Sequence, residues 1–346
     1  IEEQDSTDFD KSMRNMVSPL VVGLGFLGAR LDHLDDTGAF PGGGGAGSGA
    51  LACMQFPGPY AMPAVSWKST TVYTNTVGRS AYRGPWQMES LAREEMMDRA
   101  AREIGLDPLE FRRRNILGPD ALPHTTATGL TYERISPTET MEQAVEMIGY
   151  DELRAEQARR REAGDRKVLG IGLASYVEIT AIGGPDGVSE FGSVELQDDG
   201  SVVAMTGSTP HGQGHETTWA MVIADGLGVP FDQVTVLFGD TDLIPSVNVT
   251  GGSRSAQVAG SAMLDASVKL VDEARRTAAA LLEANEADVV LDKEAGRFHV
   301  VGTPAVAVEW GQIAAEADAP LVGISDFVQP NSSFPFGAHV SVVEVD

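Results

Sequence analysis

Apolar side chains recur along this chain with two periods, and the clearest change of period falls in its second half. Ser201–Met205 (SVVAM) is short, β-branched and apolar, and predicts a strand. After it Trp219, Val222, Ile223 and Leu227 return at helical spacing, and Gly228 with Pro230 stops that helix. Between strand and helix lies Thr206–Thr218, TGSTPHGQGHETT, a turn in which Gly212 and Gly214 flank Gln213. Glycine lets a backbone approach a ligand, and free N–H groups at a helix start attract anions, so the turn is suited to a negatively charged group. A plain strand–turn–helix needs no ligand at all.

Around that stretch the pattern predicts mostly strands. Val168–Ile179, Phe191–Gln197 and Ser201–Gly207 are β-type runs, the last two joined at Asp198-Asp199-Gly200, a hairpin signal. Val234–Phe238 is a further strand, followed by the loop Gly239–Ser255 and a long alanine-rich helix over Ala256–Asn285. Val258, Met263, Val268, Leu270 and Val271 are among its apolar positions. Strand, Gly/Ser/Thr loop and helix start thus occur twice, with Gly212 and Gly252 40 residues apart. Two helix N-termini of this kind would suit a ligand with several phosphate or pterin-type acceptors. Ala338–Val345 alternates as a last strand.

The first half reads less evenly. Val21–Gly28 (VVGLGFLG) matches GxGxxG, but a dinucleotide turn must open a helix and meet an acidic residue about 20 positions on. Here that position is Ser48, and a twisted strand or hairpin is the better reading. Asp32–Phe40 and Pro41–Ala50 read as a loop or a strand-to-strand passage, with His33 between two acidic residues a solvated loop histidine rather than a metal ligand, and Phe56–Pro63 as proline-punctuated coil. Ser69–Val77 is strand-like and leads into Gly78–Gln87, where Arg83 could fork onto an oxyanion or merely pair a carboxylate. From Glu89 a helix presents Leu91, Ala92, Met96, Ala100 and Ile104 on one face and ends at Gly105. Asp107 then caps a short helix with Pro108 in its first turn, and Arg112–Arg114 form its solvated end. Gly118–Thr131 is a polar connector, and Ser136-Pro137-Thr138-Glu139 a capping box. Met141, Val145 and Ile148 give the next helix its buried side, and Glu152–Arg161 continues it as a charged, solvated stretch.

Charge and composition narrow the classes. Against 25 Lys+Arg stand 50 Asp+Glu, a net charge of −25, which makes nucleic acid and anionic membrane poor partners. The single cysteine, Cys53, excludes a disulfide framework and any all-cysteine zinc or iron–sulfur site within these 346 residues. No apolar run reaches the roughly 18 residues of a membrane span, and a cytoplasmic location is expected. His211 and His215 lie four apart, but the glycines argue for a turn rather than a zinc-binding helix, and Asp240 and Asp242 read as turn residues bonding their own backbone. The chain starts at Ile1 and stops at Asp346 after an apolar alternating run, so a piece of something longer is expected.

Three motifs together resemble the molybdenum-binding large subunit of the xanthine dehydrogenase/aldehyde oxidase family, including its bacterial carbon-monoxide-dehydrogenase-like branch. They are Ala81-Tyr82-Arg83-Gly84, Gly212-Gln213-Gly214-His215 and Thr250-Gly251-Gly252-Ser253-Arg254-Ser255. DDTGAF, FPGPY, TNT, LDPLEFRRRN, LFGDTD and FPFGAHVSVVEVD support them in the family's order from about Leu31 on.

The resemblance implies an α+β fold of mixed sheets and packed helices. It divides the chain into residues 1–130, the C-terminal part of a first molybdopterin-binding domain, and 131–346, the N-terminal part of a second. It implies molybdenum held by a pterin dithiolene rather than by protein ligands, in the cytosine dinucleotide form usual in bacteria. Gln213 is implied as a donor near the molybdenum, with Gly212 and Gly214 making room beside His215. Thr250, Gly251, Gly252, Ser253, Arg254 and Ser255 would bind the pterin or dinucleotide end. Tyr82, Arg83, Gly84 and Trp86 would lie on the substrate side. Partners would be an iron–sulfur small subunit with 2Fe–2S clusters and an FAD-binding medium subunit, in a dimer of heterotrimers that oxidises an aldehyde or N-heterocycle.

Three departures matter. Gly84 stands where CO-oxidising members carry a copper-binding cysteine, Pro85-Trp86-Gln87 alters the pocket, and Val249 replaces a common glycine. The family's GGxFGxK-type loop and the Gly-x-Gly-Glu segment with the general-base glutamate do not occur in these residues, so that base is expected beyond Asp346 and the chain is expected to be inactive alone. A non-catalytic scaffold homologue and an NAD-binding oxidoreductase built on Gly23–Gly28 are the competing readings. The latter requires a helix immediately after Gly25.

Overall fold

The computed structural model describes residues 17–22, 25–36, 38–39, 45–76, 86–184, 187 and 189–346. Two compact units result, residues 1–179 with 334–346, and residues 180–333; position 130 lies inside the first.

The first unit opens on a hairpin. β1 (Val17–Val22) pairs antiparallel with β2 (Gly25–Asp36), so Gly25 begins a strand where a dinucleotide fingerprint needs a helix. The NAD-binding reading fails there. β2 then runs parallel to β3 (Val65–Val72), and a parallel pair requires a crossover. That crossover is α1 (Gly45–Gln55), a helix through GAGSGALACMQ; the sequence predicted a loop or strand-to-strand passage over Pro41–Ala50, and the passage is there but helical. Its propensity is poor, but Ala52, Cys53 and Gln55 are buried and the helix lies on both strands, so packing overrides propensity.

α2 (Trp86–Glu103) forms as the periodicity predicts and buries Ala92, Met96 and Ala100 of the expected face, but not Leu91 or Ile104. Leu91 is 58% exposed and Ile104 39%, whereas Glu89, Arg93, Met96, Met97, Ala100 and Ala101 are inside. Charged residues can turn inward because other elements complete their bonds. Arg93 Nε donates to Glu94 Oε1 (3.1 Å) and Nη2 to Ser175 O (3.1 Å), while Tyr60 OH donates to Glu94 Oε2 (2.9 Å). α3 (Pro108–Asn115) is capped by Asp107, whose Oδ1 accepts from Leu109 N, as expected. Its basic end is not a solvated run. Arg112 is fully buried against Glu94 and Asp98, and only Arg113 and Arg114 form surface pairs, with Glu142 and Glu110.

Glu89 is the weak point of this charged interior. Burial lifts its carboxyl to about 7 against the pull of Arg93 and the Ser90 hydroxyl, and Oε2 has no partner. A carboxyl whose folded pKa exceeds its unfolded value stabilises the fold while protonated. That stability is fully present below the unfolded pKa and is lost as pH rises to about 7. Glu89→Gln keeps the neutral form, so it should match the wild type near pH 4 and exceed it by about 3 kcal/mol at pH 8. Urea denaturation of both proteins at the two pH values measures the difference; equal stabilities at pH 8 would refute it.

The connector at 118–131 carries a minimal hairpin of β4 (His124–Thr125) and β5 (Thr131–Tyr132). α4 (Pro137–Met147) starts at the expected proline, but Ser136 makes no side-chain cap. With φ −129° and ψ 55° it lies outside the extended geometry of a capping serine, and its carbonyl instead accepts from the Thr140 hydroxyl at 2.8 Å. Gly149, at φ +63°, separates α5 (Tyr150–Ala163) from α4 where the sequence read one continuous helix. β6 (Val168–Val177) and β14 (Phe336–Val345) pair antiparallel along their whole length. Met141 and Val145 of α4 join Leu109, Tyr150 and Leu173 in the core beneath them.

The second unit is a four-stranded sheet, Val322–Phe327, Glu190–Leu196, Val202–Thr206 and Val234–Leu237 in that order, with two helices on it. β7 (Glu190–Leu196) and β8 (Val202–Thr206) form the predicted hairpin, with Gly200 at φ +86° in its turn. α6 (His215–Leu227) crosses over to β9 (Val234–Leu237), which lies parallel to β8. α7 (Ser255–Leu281) follows, then a small antiparallel sheet of β10 (Val289–Asp292), β11 (Arg297–Val300) and β12 (Thr303–Glu309), then α8 (Trp310–Glu316) and β13 (Val322–Phe327). α7 buries an alanine-rich stripe that includes Ala259, Met263, Ala266 and Leu270, and leaves Val268 51% exposed. Such small side chains bring the helix close to β7 and β13, which meet it with Gly192 and Gly323. Among the described residues no helix is long and apolar enough to cross a membrane.

Candidate functional site

Parallel strands place the loops that follow them at one end of a sheet, which is where open α/β sheets bind ligands. β8 and β9 do this here, and the loops leaving them meet. Ser208 and Asn248 form a parallel bridge, and Asn248 N donates to Gly207 O at 3.2 Å. The fully buried Ser208 Oγ lies 3.1 Å from Thr250 Oγ1 and 3.1 Å from Ser255 Oγ. The two repeats seen in the sequence therefore form one constellation.

Backbone conformation shapes both loops. Gly212 (φ +103°) and Gly214 (φ +76°) occupy the left-handed region that glycine tolerates, with open space where a Cβ would stand. In the second loop Gly252 has φ +66° and the non-glycine Ser253 φ +52°. Such strain costs on the order of 1 kcal/mol and persists only where its surroundings enforce it. Neither Gly214 nor Arg254, the N-cap residues of α6 and α7, makes a side-chain cap bond. No N-cap side chain therefore takes up the first-turn N–H groups of either helix, and of those in α7 Gln257 N donates to Arg254 O at 3.1 Å.

The side chains divide by role. Gln213 is exposed, and its Oε1 accepts from His211 N, which leaves its amide NH₂ turned to other partners. His215 is buried, with Nδ1 3.3 Å from Ser208 O and its ring tilted on Trp219 at 5.2 Å. His211 and His215 serve the turn, with no zinc helix between them. Asp240 Oδ1 accepts from Asp242 N at 2.9 Å, the expected turn bond. The Arg254 guanidinium reaches Glu190 Oε2 (3.0 Å) and Val249 O (3.3 Å). Burial pushes the Glu190 carboxyl above the usual range, against Arg254 and His215, which pull it down.

Gly212, Gln213, Gly214, His215 and Thr250 through Ser255 are thus gathered at one end of the second unit. Tyr82, Arg83 and Gly84 lie outside the described residues, and Trp86 enters only as the first residue of α2. Sequence reasoning did not single out Ser208, Glu190, Thr180 and Gln257. Thr180 Oγ1, Gln257 Oε1 and Glu190 Oε1 are buried without a hydrogen-bond partner. Gln257 belongs to the first turn of α7, and Ala181 N, next to Thr180, donates to Gly252 O at 3.5 Å. Ser208, two residues past the end of β8, carried no local signal of its role. Glu190, an acid at the head of an apolar strand, carried none.

Comparison with known proteins agrees with this geometry. Two families, each described as a molybdopterin cofactor-binding domain, match the chain, one over residues 25–116 and the other over residues 143–346. The chain is 33% identical over 311 residues to the carbon monoxide dehydrogenase large chain of Afipia carboxidovorans, covering 84% of this chain and 38% of that protein. It is 32% identical over 317 residues to the nicotine 6-hydroxylase large subunit of Paenarthrobacter nicotinovorans, covering 86% and 38%. Among solved structures it superposes on quinoline 2-oxidoreductase from Pseudomonas putida 86 with a TM-score of 0.80 and 30% identity, over 93% of this chain and 43% of that one. The chain therefore spans about two fifths of the length of these relatives.

Proposed function

The chain belongs to the molybdenum-binding large subunits of the xanthine dehydrogenase/aldehyde oxidase family, and from that premise we propose that it is the cofactor-holding part of a molybdenum hydroxylase. The observation that carries this is the meeting of the two loops, with Ser208 bonded to Thr250 and Ser255 between two helix N-termini whose N-cap residues make no side-chain cap bond. The donor set fits a molybdopterin. Hydroxyls at Thr250, Ser253 and Ser255 and the first-turn N–H groups suit the acceptor oxygens of a phosphate-bearing ligand. Gln257 Oε1 and Thr180 Oγ1, buried without partners, suit the N–H groups of a pterin ring.

In this reading residues 250–255 hold the pterin or its dinucleotide end, here the cytosine form. Gly212 and Gly214 let the backbone approach, and the Gln213 amide is held by His211 N so that its NH₂ can donate toward the reacting centre. His215, locked by Ser208 O and Trp219, orients the first turn of α6. Tyr82, Arg83, Gly84 and Trp86 are the proposed substrate-side residues. When bound, the cofactor supplies the two-electron oxidation that places water-derived oxygen on an electron-poor carbon of an aldehyde or N-heterocycle. Electrons would leave through 2Fe–2S and FAD subunits in a cytoplasmic dimer of heterotrimers, and the general-base glutamate would be supplied from outside these residues. A partition at 130/131 into parts of two cofactor-binding domains is proposed too; the matches at 25–116 and 143–346 fall on either side of it.

Elemental analysis of the complex purified from its native host tests the reading. Near-stoichiometric molybdenum without copper is expected. Copper alongside molybdenum would overturn the argument from Gly84 and restore CO oxidation, and neither metal in a folded complex would leave the scaffold reading.

A further inference from the structure

Glu190 opens β7 with its side chain fully enclosed, in a unit whose buried positions are otherwise mostly apolar. Oε2 accepts from Arg254, while Oε1 has no partner and leaves so little room that a Cβ on Gly207 would come within 2.9 Å of it. Arg254 Nη1 bonds Val249 O as well, so one guanidinium ties both shoulders of the 249–254 loop to the sheet. Beside it Asn248 Nδ2 donates to Ser189 O at 3.0 Å and Asn248 N to Gly207 O at 3.2 Å. The rim of the loop is thus fastened to the head of β7 and the exit of β8, and the strained Ser253 backbone lies between those fastenings.

A buried ion pair is a poor way to gain stability, since apolar residues of similar volume do as well or better, but it fixes direction as packing does not. We propose that Glu190 is a positioning residue for the candidate cofactor site, acting through Arg254 to hold residues 250–253 in the conformation that receives the cofactor. This rests on the cofactor-binding reading above and deepens it. In this role Glu190 acts through Arg254 without contacting the cofactor itself. Arg254 then serves as the loop's anchor.

The test uses the full-length chain in its native complex, as wild type and as Glu190→Ala, Glu190→Gln, Arg254→Ala and the double alanine variant. The readout is the rate at which pterin leaves the folded complex, followed by fluorescence of the released, oxidised pterin, with circular dichroism monitoring the fold. Glu190→Ala and Arg254→Ala should each speed release about tenfold, and the double variant should be no faster than the more impaired single one. Glu190→Gln, which keeps an acceptor for Arg254 in place, should stay within about threefold of the wild type. Wild-type release from folded Glu190→Ala, multiplied effects in the double variant, or a Glu190→Gln as leaky as the alanine would each overturn the proposal. If Glu190→Ala does not fold, Arg254→Ala and Glu190→Gln carry the same test, and slow release from Arg254→Ala overturns it. A wild-type complex without pterin sinks the cofactor reading itself; a loaded wild type with unaffected variants sinks only the role of Glu190.

Discussion

Gly323→Ala is expected to destabilise the second unit by about 3 kcal/mol or more, the upper end of overpacking effects. The new Cβ would fall on the carbonyl oxygen of Ala266 and 2.7 Å from Leu270 N, both backbone atoms of α7. A flexible side chain could move aside; a helix backbone cannot without lifting off the sheet. Lifting it would loosen Met263, Ala266 and Leu270, which are wholly buried in the main core of this unit. Gly311→Ala is the control. Its Cβ would meet nothing nearer than Asp199 O at 3.9 Å, in the first turn of α8, so a neutral effect or a gain below about 1 kcal/mol is expected. Thermal melts of the two variants, with hydrogen exchange of the α7 amides, measure the contrast. Equal melting temperatures would mean that α7 and β13 are not so close.

Arg112→Ala is expected to cost about 3–5 kcal/mol, the range for breaking a buried ion pair by removing one partner. All five N–H donors of this guanidinium are used. Nε donates to Glu94 Oε2 (3.0 Å), Nη1 to Asp98 Oδ1 (2.6 Å) and Pro108 O (3.2 Å), and Nη2 to Glu94 O (3.2 Å) and Leu173 O (3.0 Å). The alanine would take a donor from Asp98 and from three carbonyls, and remove one of the two arginines beside the buried Glu94. Lysine cannot replace the planar fork, because three donors on one nitrogen reach neither the same number of acceptors nor the same directions. Arg113→Ala, next along the chain, removes a pair with Glu142 whose members are 41% and 40% exposed and should cost under about 1 kcal/mol. Hydrogen-exchange protection of α2 and α3 separates the two variants. Similar losses would show that the Arg112 network carries no particular weight.

Much of the candidate site was legible because its signals are local. A glycine pair around Gln213 and a Gly-Gly-Ser run after a strand announce left-handed backbone and helix starts wherever they occur, and both loops have that form. What joins them was not legible. Ser208 became the hub only because β8 and β9 lie side by side, and Glu190 matters only because β7 brings it under Arg254.

The same division runs through the fold. The sequence by itself determined where elements begin and turn: the Asp198–Gly200 hairpin, the Asp107 cap, the stop at Gly228 and the repeated strand–loop–helix. Only the tertiary structure decided which faces go inside. It chose Arg93 over Leu91 on α2, buried Arg112 while leaving Arg113 in solvent, and made a helix of the glycine-rich 45–55 stretch. The reason is physical. A turn or cap is closed by atoms a few residues away, whereas a charge can be buried only when distant elements such as Tyr60 and Leu173 supply its missing bonds, and no local pattern records them.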